Sequence, residues 1–384
     1  MLNSFRKKSI LRFLELFSGS PATPMDLLLN NFYRANKSLG SSDRRYIGDM
    51  IYAIVRNLSL LDAHLPSPAL WEDRVNLFLE KNLKTLERSP HLAPYQKASL
   101  SEDIYTLLLN FYGEEQTKVL SEILNTPAPT TVRVNLLKTT RDLILRGWND
   151  RYEITPCRES SSGIVFNKKI DLPSLSEFKK GLFEIQDEGS QLISELVKAT
   201  PGESVLDFCA GGGGKSLAIA PKMDGKGQIF LHDIRKTPLI SAKKRLKRAG
   251  VQNAQIIFEE PKKLSKLSRK MDWVLIDVPC SGSGTWRRNP DQKWKFSKAT
   301  LERLVAEQRK IFDQALTYLK PNGHVVYATC SLFSQENEEQ VEYFLKHYPV
   351  QLSAPLFKRL PVSGGMDGFF GAVFSFSLEK EKTF

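Results

Sequence analysis

From Glu203 onward, short apolar runs alternate with amphipathic stretches, and this alternation limits the fold more than any other feature of the chain. Runs too apolar to face water on either side read as strands buried on both faces, which is the mark of a parallel sheet covered by helices. Strands are expected over 204–208, 228–232, 255–258, 273–278 and 324–328. Helices are expected over 215–220, 239–249 and 301–319, with a further helix after Gln335 and short strands ending within 367–376. An open sheet of this kind binds ligands beyond the carboxyl ends of its strands. The residues that follow each strand are therefore the candidates for chemistry.

The first strand runs into a glycine turn in the segment VLDFCAGGGGKS. Glycine allows a tight turn and lets backbone N–H groups approach a ligand, and the helix start that follows favours a negative group. A phosphate loop of the GxxxxGK[ST] type would need glycine at position 209, where this chain has Cys209. Asp233 ends the second strand, where a carboxylate can accept hydrogen bonds from ribose hydroxyls. Glu260 follows the third strand and competes with Glu259 for an adenine or ribose contact. Asp277 ends the fourth strand and Cys330 follows the fifth, so both fall where a reaction is plausible.

The 384 residues leave room for two or three domains at roughly 150 residues each. Residues 1–125 read as a helical module. A helix capped by Ser41 or Ser42 carries Ile47, Met50, Ile51, Ile54, Val55 and Leu58 on one face. Thr23-Pro24 offers another helix start with proline at the first turn. Further helices are expected around 70–86 and 104–111. Residues 126–198 read as a small α+β domain with strands near 132–134, 154, 164–166 and 182–185 and a helix over 140–148. Residues 199–384 hold the open sheet.

Lys and Arg number 55 against 43 Asp and Glu, a formal charge of +12 that can attract polyanions. No stretch approaches the roughly 20 apolar residues needed to cross a bilayer, and the basic start lacks a signal-like apolar core. The four cysteines, Cys157, Cys209, Cys280 and Cys330, lack the short paired spacing of structural zinc sites. Reduced thiols in a cytoplasmic protein are expected, with no metal.

Several stretches together resemble the Sun-type RNA cytosine-5 methyltransferases that use S-adenosylmethionine. They are RANKSLGSSDRRYIGDMIYAIVR in the first module, RVNLLKTT and FEIQDEGSQL in the second, and LDFCAGGGGKS, LIDVPCSGSGTWRRNPDQKW, YATCSLFSQENEEQV and DGFFGAVF in the third. The resemblance is to bacterial 16S rRNA members. It implies a multidomain α and α/β chain: a NusB-like helical domain, a small RNA-recognition-like α+β domain and a Rossmann-type methyltransferase domain. Gly212 stands where such proteins commonly have proline, and Glu260 where aspartate is common.

The same resemblance implies a cofactor site formed by Cys209, Ala210, Gly211, Gly212, Gly213, Gly214, Lys215, Asp233, Glu260 and Asp277. It assigns Cys330 as the nucleophile toward cytosine C6, Cys280 as the helper that resolves the adduct, and Asp277 as the group that engages cytosine N3. A Pro-Cys nucleophile, as in DNA cytosine-5 methyltransferases, would instead be Cys280. The Cys157 and Cys209 thiols read as structural. Arg44, Arg45, Lys215, Arg287, Arg288 and Lys293 are expected to meet RNA, although the 287–294 loop could equally be solvated, with Trp294 in a core, and Lys215 could organise acidic groups. The implied substrate is 16S rRNA, handled by a monomer. A tRNA substrate and a noncatalytic RNA-binding assembly factor are the alternatives.

Overall fold

The structure, a computed structural model, describes residues 4–258 and 261–377. Glu259 and Glu260 lie outside the described residues, so the third-strand contact has no structural account. The chain forms two compact units. One comprises Met1–Pro127 with Thr285–Lys298, the other Ala128–Gly284 with Ala299–Phe384. The small α+β part and the open sheet thus share a unit, and the boundary does not follow the three-part division of the sequence.

The larger unit carries two sheets. The smaller sheet is built from β1 (Thr130–Val134), β2 (Ile154–Pro156), β3 (Gly163–Phe166) and β4 (Phe183–Ile185). Their order is β2-β3-β1-β4, antiparallel throughout, a topology that the residue pattern left open. Val132, Val134, Ile164, Phe166 and Phe183 pack around Trp148 from the helix Arg141–Trp148. Thr140 Oγ1 caps that helix by accepting from Leu143 N–H at 3.3 Å.

The larger sheet contains β5 (Ser204–Asp207), β6 (Gln228–His232), β7 (Ala254–Ile257), β8 (Met271–Asp277), β9 (Leu319–Thr329), β10 (Val350–Leu352), β11 (Phe357–Arg359) and β12 (Phe369–Phe376). Its order is β10-β12-β9-β8-β5-β6-β7, with β11 paired to β12. Strands β5 to β9 are parallel, whereas β12 lies antiparallel to β9. The chain builds outward from β5 through β6 to β7, then restarts on the other side with β8. The reversal opens a crevice between β5 and β8, the expected ligand position in such a sheet.

Burial explains why these strands read as continuous apolar runs. Successive residues of β8 alternate between two cores: Val274 and Ile276 join Leu206, Tyr327, Phe344 and Phe374 on one face. Trp273 and Leu275 join Val205, Leu231 and Val326 on the other. Helices Lys298–Leu316 and Glu338–His347 cover the first face and helices Gly214–Ile219 and Lys236–Ala249 the second. Phe312 and Phe344 stack at 3.8 Å between ring centroids. Full burial of side chains this large contributes about 1.5–3 kcal/mol each.

The smaller unit is helical. Its core gathers Phe13, Phe32, Ile47, Ile51, Ile54, Val55 and Leu60. Helix Ser41–Arg56 is flanked by Gly40 at its N-cap, so neither serine caps it, and Pro24 is itself the N-cap of Met25–Ala35 and not its first residue. The helix expected at 104–111 extends over Glu102–Leu124 and is interrupted at Gly113, whose φ of 75° requires glycine.

Residues 285–298 belong to this helical unit, a membership that no local residue pattern signals. Lys293 is 1% exposed, and its Nζ donates to Arg56 O (2.8 Å), Ser99 O (3.0 Å) and Asn125 Oδ1 (2.8 Å). Three oxygens around one nitrogen suit an ammonium with its three N–H groups, even though burial and then Arg56 drive the pKa down. Trp294 Nε1 donates to Val55 O at 2.7 Å. Arg287 is 1% exposed, and its carbonyl accepts from Arg56 Nη2 at 2.9 Å. Lys293 and Arg287 are therefore interior residues, contrary to the expectation that they face RNA phosphates. Arg288 is half-buried.

Replacing Lys293 by Met would leave three buried acceptors without a donor. Lys293→Met is expected to destabilise the protein by about 2–4 kcal/mol, read as a lower midpoint in chemical denaturation followed by tryptophan fluorescence.

Candidate active site

The glycine turn is held from both ends. Phe208 N–H donates to Leu275 O (2.9 Å) and Ala210 N–H to His232 O (2.8 Å), so the exit of β5 is tied to β8 and β6. Gly213 N–H then closes a turn onto Ala210 O at 2.8 Å. Gly211 and Gly213 have φ of 51° and 73°, and a Cβ on Gly213 would sit 3.1 Å from both Ala242 and Leu231. Conformation and close approach both demand glycine there.

Two arginines brace the same turn. Arg245 Nη1 donates to Gly212 O at 2.7 Å. Arg133, from β1, donates to Gly214 O at 3.0 Å and to Gln186 Oε1 at 2.7 Å. The buried Glu184 of β4 accepts from Arg245 Nε (3.0 Å) and Arg248 Nη2 (2.6 Å). Burial lowers the pKa of Arg133 to about 9, which still leaves it charged at neutral pH. Where a proline would stiffen the turn, this chain uses side chains of the small sheet and of helix Lys236–Ala249. Pattern reading missed them because each is distant in sequence from the turn it holds.

Beneath the turn, Asp207 Oδ2 accepts from Ser216 Oγ at 2.6 Å while Oδ1 is buried without a hydrogen-bond partner. Burial pushes its pKa up to about 6. Asp233 accepts from Gly211 N–H (2.9 Å), Arg235 N–H (2.8 Å) and Arg235 Nε (3.0 Å). Burial works against its charge, but the bonds from Arg235 and Gly211 prevail and hold the carboxyl below its ordinary range. A glycine turn with bare backbone joined to a carboxylate at the end of the neighbouring parallel strand fits a ribose-bearing cofactor.

Asp277 closes β8, in register with Ala328 of β9. Its Oδ2 accepts a hydrogen bond from Lys215 Nζ. Lys215 is 11% exposed at its side chain, so its charge is directed to this carboxylate and not outward. Burial opposes the ammonium, yet Asp277 outweighs it and raises the pKa, with Asp207 and Cys330 adding to the effect.

The strand ends also bring two thiols together. Cys280 Sγ and Cys330 Sγ lie 3.5 Å apart. Gly284 N–H donates to Cys330 O (2.9 Å) and Gly368 N–H to Gly284 O (3.0 Å), so three loops cross at backbone distance. A Cβ on Gly284 would lie 2.4 Å from Gly368 O, which accounts for glycine at that crossing. The hydrogen bond to Cys330, followed by burial, raises the Cys280 pKa well above its ordinary value. Cys209, half-buried, has its pKa raised by desolvation, and the same cause raises the buried Cys157, as suits inert thiols.

Lys215, Asp233, Asp277, Cys280 and Cys330 thus come together around the glycine turn in the larger unit. Arg44, Arg45, Arg287, Arg288 and Lys293 belong to the helical unit. Arg44 Nε donates to Leu39 O at 2.9 Å, and Arg45 is exposed. Phe369 and Phe370 of DGFF are packed, at 7% and 1% exposure.

Residues 194–374 match the family model described as 16S rRNA methyltransferase RsmB/F. A curated relative, the ribosomal RNA small subunit methyltransferase B of Vibrio vulnificus, is 33% identical over 268 residues, covering 67% of this chain and 62% of its own length. A solved structure described as a methyltransferase homolog protein from Pyrococcus horikoshii is 25% identical with a TM-score of 0.66, and covers 75% of this chain and all of its own. The crystal structure of PH0851 is 20% identical with a TM-score of 0.83, and covers 98% of this chain and 99% of its own. That last likeness concerns the fold. The sequence matches make the chain homologous to the S-adenosylmethionine-dependent RNA cytosine-5 methyltransferases of the RsmB and Sun group, and the sheet is of the Rossmann-type methyltransferase kind.

Removing the guanidinium of Arg245 frees Gly212 O, so Arg245→Ala should speed amide hydrogen exchange across 211–214 about tenfold. Asp207 has a folded pKa above its ordinary 3.8. Its ionisation therefore costs stability that is absent below pH 4 and fully developed above pH 6, about 3 kcal/mol. Asp207→Asn, whatever constant effect the amide adds, should gain stability relative to the wild type as pH rises from 4 to 7 in urea denaturation.

Proposed function

We propose that the chain transfers a methyl group from S-adenosylmethionine to cytosine C5 in small-subunit rRNA, through a covalent bond between Cys330 and cytosine C6. The observation that carries this reading is the 3.5 Å pairing of Cys280 and Cys330 beside the Lys215–Asp277 pair. The family match of residues 194–374 and the relatives' printed activity support the substrate class. In this reading the helical unit is NusB-like and binds RNA, and the small sheet is the RNA-recognition-like part. Among its arginines the exposed Arg45 is best placed to contact RNA. The protein works as a monomer in the cytoplasm.

Residues 211–214 and Asp233 would hold the cofactor, which supplies an electrophilic methyl group when bound. Cytosine C5 is a weak nucleophile, and addition of the Cys330 thiolate to C6 makes it electron-rich. The base must be unpaired or flipped for this attack. Asp277 faces the ring edge and engages N3 through a proton held between the two acceptors, which neutralises the charge that addition places on the ring, and Lys215 fixes the carboxyl group in place. After transfer, a water molecule takes the C5 proton, the C5–H electrons restore the C5–C6 double bond, and the C6–S bond breaks with its electrons returning to Cys330 sulfur. A hydrogen bond from the Cys280 thiol stabilises that departing thiolate, so Cys280 acts in release and not in attack.

With rRNA carrying 5-fluorocytosine, the wild type and Cys280→Ala should both trap a covalent adduct, and Cys330→Ala should form about a thousandfold less. On ordinary rRNA, Cys280→Ala should accumulate adduct and turn over slowly. Trapping by Cys330→Ala but not by Cys280→Ala would reverse the two roles. Methylation of purified tRNA and not rRNA would overturn the substrate.

A further inference from the structure

Both cysteine loops converge on one buried carboxylate that the methylation chemistry does not itself employ. Glu336 closes the short turn Ser334–Glu336 and is 0% exposed. Its Oε1 accepts from Ser281 N–H (2.9 Å) and from Gln308 Nε2 (3.0 Å), and its Oε2 accepts from Ser281 Oγ (2.5 Å). Gln308 Nε2 also donates to Pro279 O at 3.0 Å. The residues on either side of Cys280 are therefore held by one Glu–Gln pair.

That pair is in turn fixed from behind. Tyr327 Oη donates to Glu336 O at 2.6 Å, and Gln340 Nε2 donates to Gln308 Oε1 at 2.9 Å. The Cys330 loop reaches the same carboxylate through the Ser331 side chain and is secured by further bonds of its own. Thr329 Oγ1 donates to Asn337 Oδ1 (2.5 Å), Asn337 Nδ2 donates to Ser331 O (2.9 Å), and Leu332 N–H donates to Ser283 Oγ (2.7 Å). The two sets meet where Ser281 Oγ lies 3.1 Å from Ser331 Oγ. Three donors converging on one side chain call for an acceptor-only group, which is what a carboxylate is. An aspartate would fall one methylene short.

We propose that Glu336 is a positioning residue that sets the Cys280 sulfur against Cys330. By holding Ser281 and, through Gln308, Pro279 on one side, and the Ser331 side chain on the other, it fixes both cysteine loops against each other and so governs attack and release together. The kinetic consequence rests on the methyltransferase reading above; the placement of the sulfurs does not. The device acts through hydrogen bonds and needs no negative charge. In Glu336→Gln the amide oxygen still accepts from Ser281 N–H and Gln308, and the amide nitrogen can donate to Ser281 Oγ. In Glu336→Ala all three donors lose their acceptor.

The sulfur placement is measured directly in the full-length protein without RNA. Diamide oxidises two apposed thiols to a disulfide and is itself reduced to the hydrazine, and mass spectrometry reads the Cys280–Cys330 crosslink. Glu336→Ala should form that crosslink about tenfold more slowly than the wild type, and Glu336→Gln within about twofold of it. Ser281→Ala, which removes only the Oγ contact, should fall between, and it decides the matter if Glu336→Ala does not fold. On ordinary rRNA, Glu336→Ala should slow attack and release alike, and Glu336→Gln should keep both.

Crosslinking at the wild-type rate in folded Glu336→Ala, or in Ser281→Ala should Glu336→Ala not fold, would overturn the proposal. Loss of the crosslink in Glu336→Gln as severe as in Glu336→Ala would overturn the hydrogen-bond account. If wild-type protein traps no 5-fluorocytosine RNA, the methyltransferase reading fails, and the crosslinking rates still decide the role of Glu336.

Discussion

The parallel register of β5, β8 and β9 is the constraint on which the rest of the molecule depends. Asp207 pairs with Leu275, and Asp277 with Ala328, so the three strands expire within a residue or two of one another along the same edge. Backbone hydrogen bonding alone then delivers a glycine turn, a carboxylate and a cysteine to one place. None of these groups needs a neighbour in sequence to be a neighbour in space. The reversal of strand order between β5 and β8 leaves the gap into which a ligand can settle.

Placing charge at such an edge is costly because the sheet beneath is dry. Each buried charge is met by a partner suited to its shape. Asp277 takes a lysine, Asp233 takes backbone donors and Arg235, and Glu184 takes two arginines at once. Asp207 is the exception: its half-satisfied carboxyl has a raised pKa, and its proton uptake is the adjustment that burial leaves available. The two thiols sit close together, and the hydrogen bond to Cys330 and burial raise the pKa of Cys280.

Much of the open sheet was legible because doubly buried strands leave an unbroken apolar signature, and β6 was read to the residue over 228–232. The edge of the sheet was less so. β12 carries a similar apolar run, but nothing in its composition distinguishes an antiparallel partner for β9 from a parallel one. Within the site, the groups at strand ends were visible by position, whereas the groups that hold them were not. Arg133, Arg245, Gln308 and Glu336 lie in stretches whose polarity suggests a solvated surface. Only the fold reveals that their polar atoms turn inward. Lys293 shows the opposite error: a basic loop rich in Arg and Trp suggests RNA, and the lysine instead ties three backbone and side-chain oxygens inside the helical unit.

The membership of residues 285–298 in the helical unit sets an order on the birth of the protein. A ribosome releases Met1–Pro127 before it reaches Lys293, the side chain that joins Arg56, Ser99 and Asn125. At about 5–20 residues per second, that interval lasts roughly 10–30 s. Through it the earliest helices must wait with a polar hole in their core, while the strands of the second unit are already emerging. A unit begun before the sheet is thus completed only after most of the sheet has been made.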